Sequence, residues 1–301
     1  METATPTIIT RLQLVLSDIR KKVLQQRLKR INKKIPYVQP QDIPQLFENI
    51  PLDVFGKLML DTMPEYPNIK AFLPSMPPDE IQDNWTGAHG ITLLMRSVAF
   101  INTLITEYTS LTRTKIKDAI ILDYGCGWGR LIRLLYKFVS YENVYGVDPW
   151  DKSIEQCKRY GIKANLAICD YVPKELPFDK CFNLIFAFSV FTHLSEKTTH
   201  VVLSTLRKYI ANNGLLVITI RPREFWLSLK HEKSAEMLQL HEKNGFAFIP
   251  HNRQPIDGDI TYGLTTMSLE YIERNFPEWE LIKTITNNLD RHQTILFLHP
   301  K

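Results

Sequence analysis

Ile121-Leu122-Asp123-Tyr124-Gly125-Cys126-Gly127-Trp128-Gly129-Arg130 is the stretch that decides the fold. The apolar run Ala119-Ile120-Ile121-Leu122 reads as a short buried strand that ends at Asp123 and three glycines in alternate positions. Residues 130–139 then read as a helix. Glycine permits positive φ and close backbone approach that a Cβ would block. A helix start beyond it offers unpaired N–H groups to a carboxylate or phosphate. The same turn would also serve as a plain tight connection, so its meaning depends on what surrounds it.

Downstream, strand and helix patterns alternate. Residues 143–147, 164–169, 182–188 and 214–220 read as strands, separated by helices at 151–160 and 195–211. The run 182–188 is fully apolar, as expected for a strand covered on both faces. Such spacing predicts right-handed crossovers and a parallel, doubly wound α/β sheet. The ending differs. Strand patterns at 278–286 and 293–299 are joined by Asn287-Asn288-Leu289-Asp290-Arg291, which is too short for a helix, so at least one of these strands is antiparallel. Before them lie a helical pattern at 223–243 and a polar loop at 250–263. An insertion of about 221–265 can reach over the carboxyl ends of the strands, where open α/β sheets bind ligands.

The first third is organised otherwise. Residues 8–35 predict a helix with Leu12, Leu16, Ile19, Val23, Leu24, Leu28, Ile31 and Ile35 along its apolar stripe, closed by Pro36. Prolines 36, 40, 44, 51, 64, 67, 74, 77 and 78 predict irregular wrapping structure, with short helices around 43–49 and 52–62 and a longer one at 88–109. The expected organisation is a helical extension over 1–109 that caps a core over 110–301.

Bulk properties narrow the function. The net charge of +5 is more than accounted for by Arg20, Lys21, Lys22, Arg27, Lys29, Arg30, Lys33 and Lys34 on the first helix, which leaves the remainder near neutral. A neutral body argues against a general nucleic-acid surface. No apolar run approaches the roughly 20 residues of a membrane span, and no signal peptide opens the chain. Cys126, Cys157, Cys169 and Cys181 have no metal-like spacing and suit reduced, buried thiols in a cytoplasmic protein. No acidic cluster has the spacing of metal ligands.

Asp148 closes the strand pattern Val144-Tyr145-Gly146-Val147, 19 residues past Gly129, where a carboxylate can accept both hydroxyls of a ribose. It could instead cap the helix that begins near Trp150. Glycine turn and acid together also suit a nicotinamide dehydrogenase. Against that, the glycines lack the two-residue step of Gly-x-Gly-x-x-Gly, and Asp123 is unfavourable beside a diphosphate but suits an ammonium group. The terminal hairpin is likewise no continuation of a second mononucleotide-binding half.

The motif Ile121 to Arg130 resembles the first motif of class I S-adenosylmethionine-dependent methyltransferases, and Val147-Asp148 resembles their ribose-binding position. Cys169-Asp170 with Leu176-Pro177-Phe178 resembles the adenine-contacting segment. Phe182-Asn183-Leu184-Ile185 and Asn213-Gly214-Leu215-Leu216-Val217 resemble the fourth- and fifth-strand motifs, with Asn183 where the family often has Asp. The lead-in Asn84-Trp85-Thr86-Gly87-Ala88-His89-Gly90 resembles methyltransferases of glycan and natural-product pathways. The resemblance implies a Rossmann-like seven-stranded sheet with an antiparallel last strand and S-adenosylmethionine as cofactor. It implies a cofactor site of Asp123, Gly125, Cys126, Gly127, Gly129, Asp148, Pro149, Asp170, Tyr171, Phe188, Ser189 and Trp85.

Methyl transfer is an in-line displacement at a sulfonium carbon, so the protein's task is alignment, with a base where the acceptor is oxygen. His193, in Ser189-Val190-Phe191-Thr192-His193-Leu194, is the candidate base. Arg221, Arg223, Tyr262 and His292 are candidate acceptor contacts. No Asn/Asp-Pro-Pro-aromatic motif follows the fourth strand, which counts against DNA. The expected acceptor is a small molecule, an oxygen of a sugar or related metabolite. RNA or protein methylation through the basic helix, a non-catalytic binding module and an NAD-dependent oxidoreductase remain as alternatives.

Overall fold

The computed structural model describes residues 8–60, 62–286 and 293–301. Seven strands make the main sheet: β1 (Ile121–Tyr124), β2 (Val144–Asp148), β3 (Asn165–Ile168), β4 (Phe182–Ala187), β5 (Ile210–Ile220), β8 (Trp279–Thr286) and β9 (Thr294–Pro300). A separate two-stranded sheet pairs β6 (Phe246–Pro250) with β7 (Gly263–Met267). The main sheet runs β3-β2-β1-β4-β5-β9-β8, so the chain starts in the middle, winds outward to one edge, then returns through β4 to fill the other. The first five strands are parallel, and β9 is antiparallel to both β5 and β8. The strand order reverses between β1 and β4, and the carboxyl ends meeting there form the crevice in which such sheets bind ligands.

Alternation along each strand divides the core in two. Ile121, Leu184, Phe186, Leu215, Val217 and Phe297 face one apolar cluster, while Leu122, Ile185, Leu216, Ile218 and Leu296 face the other. The second face is covered by helices Glu196–Tyr209 and Leu269–Asn275. The first face is covered by the N-terminal helices, which bring Phe47, Phe55, Ile101 and Leu104 into the same cluster as the sheet. Extension and sheet thus share one core. At about 1.5–3 kcal/mol for each fully buried side chain of this size, that contact holds the extension firmly.

Among its described side chains, helix Ile8–Lys34 docks through its C-terminal part. Leu28, Ile31 and Ile35 are buried, whereas Ile19 and Val23 are exposed, and the side chains of Leu12 and Leu16 lie outside the described residues. Asn32 fixes the docked end: its Oδ1 accepts the N–H groups of Asn68 and Ile69 at 2.9 and 3.1 Å, at the start of helix Pro67–Phe72. Helix Gly90–Thr112 lies across the sheet with Leu94, Val98, Ile101 and Leu104 inward. Among the described residues no single helix is long and apolar enough to cross a membrane, although Asp79–Thr86 and Gly90–Thr112 reach that length and composition as a pair bent by 49°.

Three expectations are corrected. Residues 130–139 hold only one helical turn, Ile132–Leu135. Bonds of the four-residue kind (Arg133 N–H to Gly129 O, Val139 N–H to Leu135 O) are mixed there with three-residue ones (Leu134 N–H to Leu131 O, Phe138 N–H to Leu135 O), so the chain turns without a regular ladder. The helical pattern of 223–243 is two helices, Glu224–Ser228 and Ser234–Asn244, and the insertion also contains β6 and β7. Cys181 is exposed, while Cys126, Cys157 and Cys169 are buried; all four are free thiols.

Candidate active site

The glycine turn packs directly on the end of β2. Gly125 and Cys126 both donate their N–H to Val147 O, at 2.8 and 3.0 Å. Gly125 has φ +77°, and a Cβ there would lie 2.4 Å from Val190 Cγ2, so no other residue fits. Gly127, at φ +54°, differs: among the described residues other than its chain neighbours, only Trp85 Cε3 lies within 4 Å of the place of its Cβ, at 4.0 Å. The backbone at Gly127 therefore faces an open cradle of the kind a ligand's atoms fill.

Asp148 joins the two sides of this cradle. Its Oδ2 accepts the N–H of Gly127 at 2.9 Å and its Oδ1 the N–H of Trp150 at 3.0 Å. Burial raises its carboxyl above the ordinary range, and the N–H donors oppose that rise. Capping and ligand-facing roles are thus combined in one side chain at the mouth of the sheet. Cys169 donates its N–H to Asp148 O at 3.3 Å, which sets Asp170 and Tyr171 beside it at the end of β3, Asp170 exposed and Tyr171 half-buried. Pro149 carries the chain to Trp150, whose ring stacks on Trp85 at 4.7 Å and 28°. Trp85 comes from helix Asp79–Thr86 of the extension, so the extension roofs the glycine turn.

Asp123 is buried, 2 % exposed, and burial pushes its carboxyl well up against the opposing pull of Arg130. Arg130 lies 4.9 Å above the Phe188 ring and reaches Ser97 Oγ at 3.3 Å, which brings the first motif against the end of β4. After Phe188, Ser189 adopts φ +60°, a conformation costly for a residue with a side chain. Thr219 Oγ1, which accepts its N–H at 2.7 Å, and Gln293 Nε2, which donates to its Oγ at 3.2 Å, hold it there. His292 lies outside the described residues.

His193 stands at the carboxyl end of β4, and both its ring nitrogens are engaged. Nδ1 donates to Gly263 O at 2.7 Å, and Nε2 accepts from Arg221 Nη2 at 3.2 Å. Burial first, and then the Arg221 charge, push the imidazole down to about 3. This arrangement fixes a neutral ring whose lone pair already points at an N–H donor, which is a poor starting point for a base. The ring stacks on Tyr262 at 4.8 Å and 3°, and Leu194 bridges to Tyr262 through the backbone. Arg221 is held by Thr192 O at 2.5 Å and lies 4.5 Å over the Phe225 ring. Arg223 is spent elsewhere, in exposed ion pairs with Glu242 and Glu224 at 3.0 and 3.4 Å.

Several contributors escaped the sequence reading. Trp150 sits beside a recognised motif, Arg130 and Thr219 lie within recognised stretches without an assigned role, and His251 and Arg253 lie on the insertion loop against Tyr262, at 5.4 Å between rings and 4.3 Å from guanidinium to ring. Only their sequence neighbourhood could have flagged them. Buried Arg133 carried no signal at all.

Residues 121–214 match the family model described as a methyltransferase domain. That segment runs from β1 into the first half of β5 and includes the glycine turn, Asp148, Asp170 and His193. With the strand order above, residues 121–214 are similar to methyltransferase domains of the class whose cofactor is S-adenosylmethionine. An uncharacterized protein of Methanocaldococcus jannaschii is 31% identical over 134 residues, which are 43% of this chain and 53% of that protein. The chain therefore spans about half the length of that curated relative. Similar in shape are an S-adenosylmethionine-dependent methyltransferase from Clostridium acetobutylicum (TM-score 0.46, 13% identity, 66% of this chain and 89% of that one) and a magnesium protoporphyrin IX methyltransferase from Synechocystis (0.46, 14%, 70% and 86%). A glycopeptide N-methyltransferase complexed with sinefungin is similar too (0.47, 12%, 65% and 92%).

Proposed function

We propose that the whole protein transfers a methyl group from S-adenosylmethionine to a small-molecule acceptor, an oxygen of a sugar or related metabolite. The carrying observation is the open backbone cradle at Gly127, closed on one side by Asp148 and roofed by Trp85. The cofactor, when bound, supplies an electrophilic methyl carbon, and the residues here hold and orient. In this reading Asp148, Asp170 and Tyr171 line the nucleoside side, Asp123 and the glycine turn with Cys126 the amino-acid side, and Phe188 and Ser189 the edge towards the acceptor. Tyr262, Arg221 and His193 form the acceptor wall, while the extension over 1–109 acts as a cap on the core over 110–301.

Calorimetric titration with S-adenosylmethionine and with NAD tests the cofactor half: affinity for the first and none for the second is expected, and the reverse result overturns it. Acceptor screening with radiolabelled methyl donor, using sugars and sugar nucleotides, tests the other half. No turnover by a cofactor-loaded protein on any acceptor would leave a binding module.

Within this reading His193 is a positioning residue for Arg221 and not the base. The pH profile of kcat/KM from about pH 5.5 to 8 is therefore expected to keep its shape in His193→Gln, because the wild-type ring is already neutral throughout. An inflection near the ordinary imidazole range that disappears in the variant restores the base assignment. The same shift acts on stability. The neutral folded ring against a protonatable unfolded one contributes stability that is present above about pH 6.5 and is lost as pH falls from there towards 3.

A further inference from the structure

We propose that the exposed side of helix Ile8–Lys34 docks on an anionic lipid surface, which its basic rows attract and its exposed Ile19 and Val23 enter. The helix is written in three rows at helical spacing. Leu24, Leu28 and Ile31 make the row that seats it on the extension, half-buried or buried. Beside it run Ile19, Val23, Arg27, Arg30 and Lys34, and next to them Lys22, Lys29 and Lys33, all exposed. No acidic residue stands between Ile19 and Gln41. Arg27 donates to Asn49 O at 3.2 Å. Among the described residues, none of the eight basic side chains from Arg20 to Lys34 is in an ion pair.

A surface of this charge needs an anionic partner, and its apolar members select which. Ile19 and Val23 are 52 and 41 % exposed, one turn apart within the charged side. Against a phosphate backbone their apolar area gains nothing. At a headgroup boundary it leaves water, while the aliphatic stems of lysine and arginine let the charges reach the lipid phosphates. Between Ile19 and Lys34 there is no aromatic ring on which a base could stack. The positive charge also stops with the helix: the rest of the chain is near neutral, so a polynucleotide finds no track to follow. A second copy of the chain would set eight more positive charges against these eight. Arg20 to Lys34 covers about 21 Å of helix, enough for several charges to meet a flat surface together. Tyr37, 86 % exposed just past the helix, supplies the amphipathic ring that suits the same boundary. Because the extension shares its core with the sheet, a helix docked this way holds the whole body at the surface.

The test uses the full chain and vesicles of phosphatidylcholine, alone or mixed with phosphatidylserine at about 7:3, read by co-sedimentation. The wild type is expected to sediment with the mixed vesicles and to stay in solution with the neutral ones. Lys22→Gln, Lys29→Gln and Lys33→Gln together leave the buried row untouched. They are expected to weaken partition roughly 100-fold, at about fivefold for each charge removed. The three single variants, each expected to lose about fivefold, carry the test if the triple variant unfolds. Raising salt from about 0.1 to about 0.5 M should also release the protein. Ile19→Ser with Val23→Ser keeps the charge and is expected to cost about tenfold. Equal partition in that variant overturns lipid as the occupant, because charge alone would serve any polyanion. No binding to the mixed vesicles, equal binding to the neutral ones, or displacement by single-stranded polyuridine of equal charge also overturns the proposal. The readout is vesicle binding alone, so its failure leaves the cofactor reading untouched, and failure of the cofactor reading leaves this one standing.

Discussion

Asp148→Ala is expected to weaken S-adenosylmethionine binding at least about 100-fold, equivalent to roughly 2.7 kcal/mol, in a protein that still folds. The carboxylate accepts main-chain N–H groups from both Gly127 and Trp150, so its loss frees the glycine turn and the β2 exit together. Each bond to a charged acceptor contributes about 1.5–3 kcal/mol, and any ribose contact is lost as well. Asp148→Asn is the informative companion. An amide can accept from one of the two N–H groups but sets an NH2 against the other, so it should recover part of the stability and little of the affinity. Calorimetry for binding and thermal unfolding for stability separate the two. Unchanged affinity in the alanine variant would remove Asp148 from the cofactor site.

The second large effect concerns stability. Arg133 is 2 % exposed and makes no contact through its charge that a shorter side chain could copy. Nε donates to Gly129 O at 3.1 Å, Nη2 to Trp128 O at 3.3 Å and Nη1 to Ser75 O at 2.7 Å, with the guanidinium 4.7 Å over the Trp128 ring. Burial lowers it to about 10. One side chain thereby clips the extension, through Ser75, to the backbone of the glycine turn. Arg133→Ala leaves these carbonyls without that donor and opens a void, and is expected to cost about 3 kcal/mol. For a chain of this size that is a fall in Tm of roughly 6–12 °C. Lysine cannot reproduce the fork, so Arg133→Lys should recover less than half. A Tm within about 2 °C of wild type in Arg133→Ala would show that the clip is incidental.

What could be read from the sequence was local. The glycine turn needs positive φ within a few residues, and the short connection between the last two strand patterns cannot hold a regular helix, so fold class and hairpin follow without knowledge of distant contacts. Asp148 was placed by its distance along one βαβ unit. β6 and β7 were missed because twelve irregular residues separate two five-residue strands and neither alternates cleanly. Arg133 and Arg253 belong to no motif, and only the tertiary fold reveals that one is buried and the other lies over Tyr262. His193 was recognised as a residue of the strand end, but its chemistry depends on Arg221 and Gly263, 28 and 70 residues away.

The stacked pair Trp85 and Trp150 has an optical side. Trp128, Trp226 and Trp279 are sealed in the interior at 1, 1 and 2 % exposure, whereas Trp150 is 41 % exposed and Trp85 half-buried. Two indoles 4.7 Å apart couple their excited states, and they border the cradle that a nucleoside would enter. Quenching of intrinsic emission, or a change in near-ultraviolet dichroism, should therefore report ligand arrival without any label. Because one indole belongs to the extension and the other to the core, the same signal reads how tightly the roof is seated.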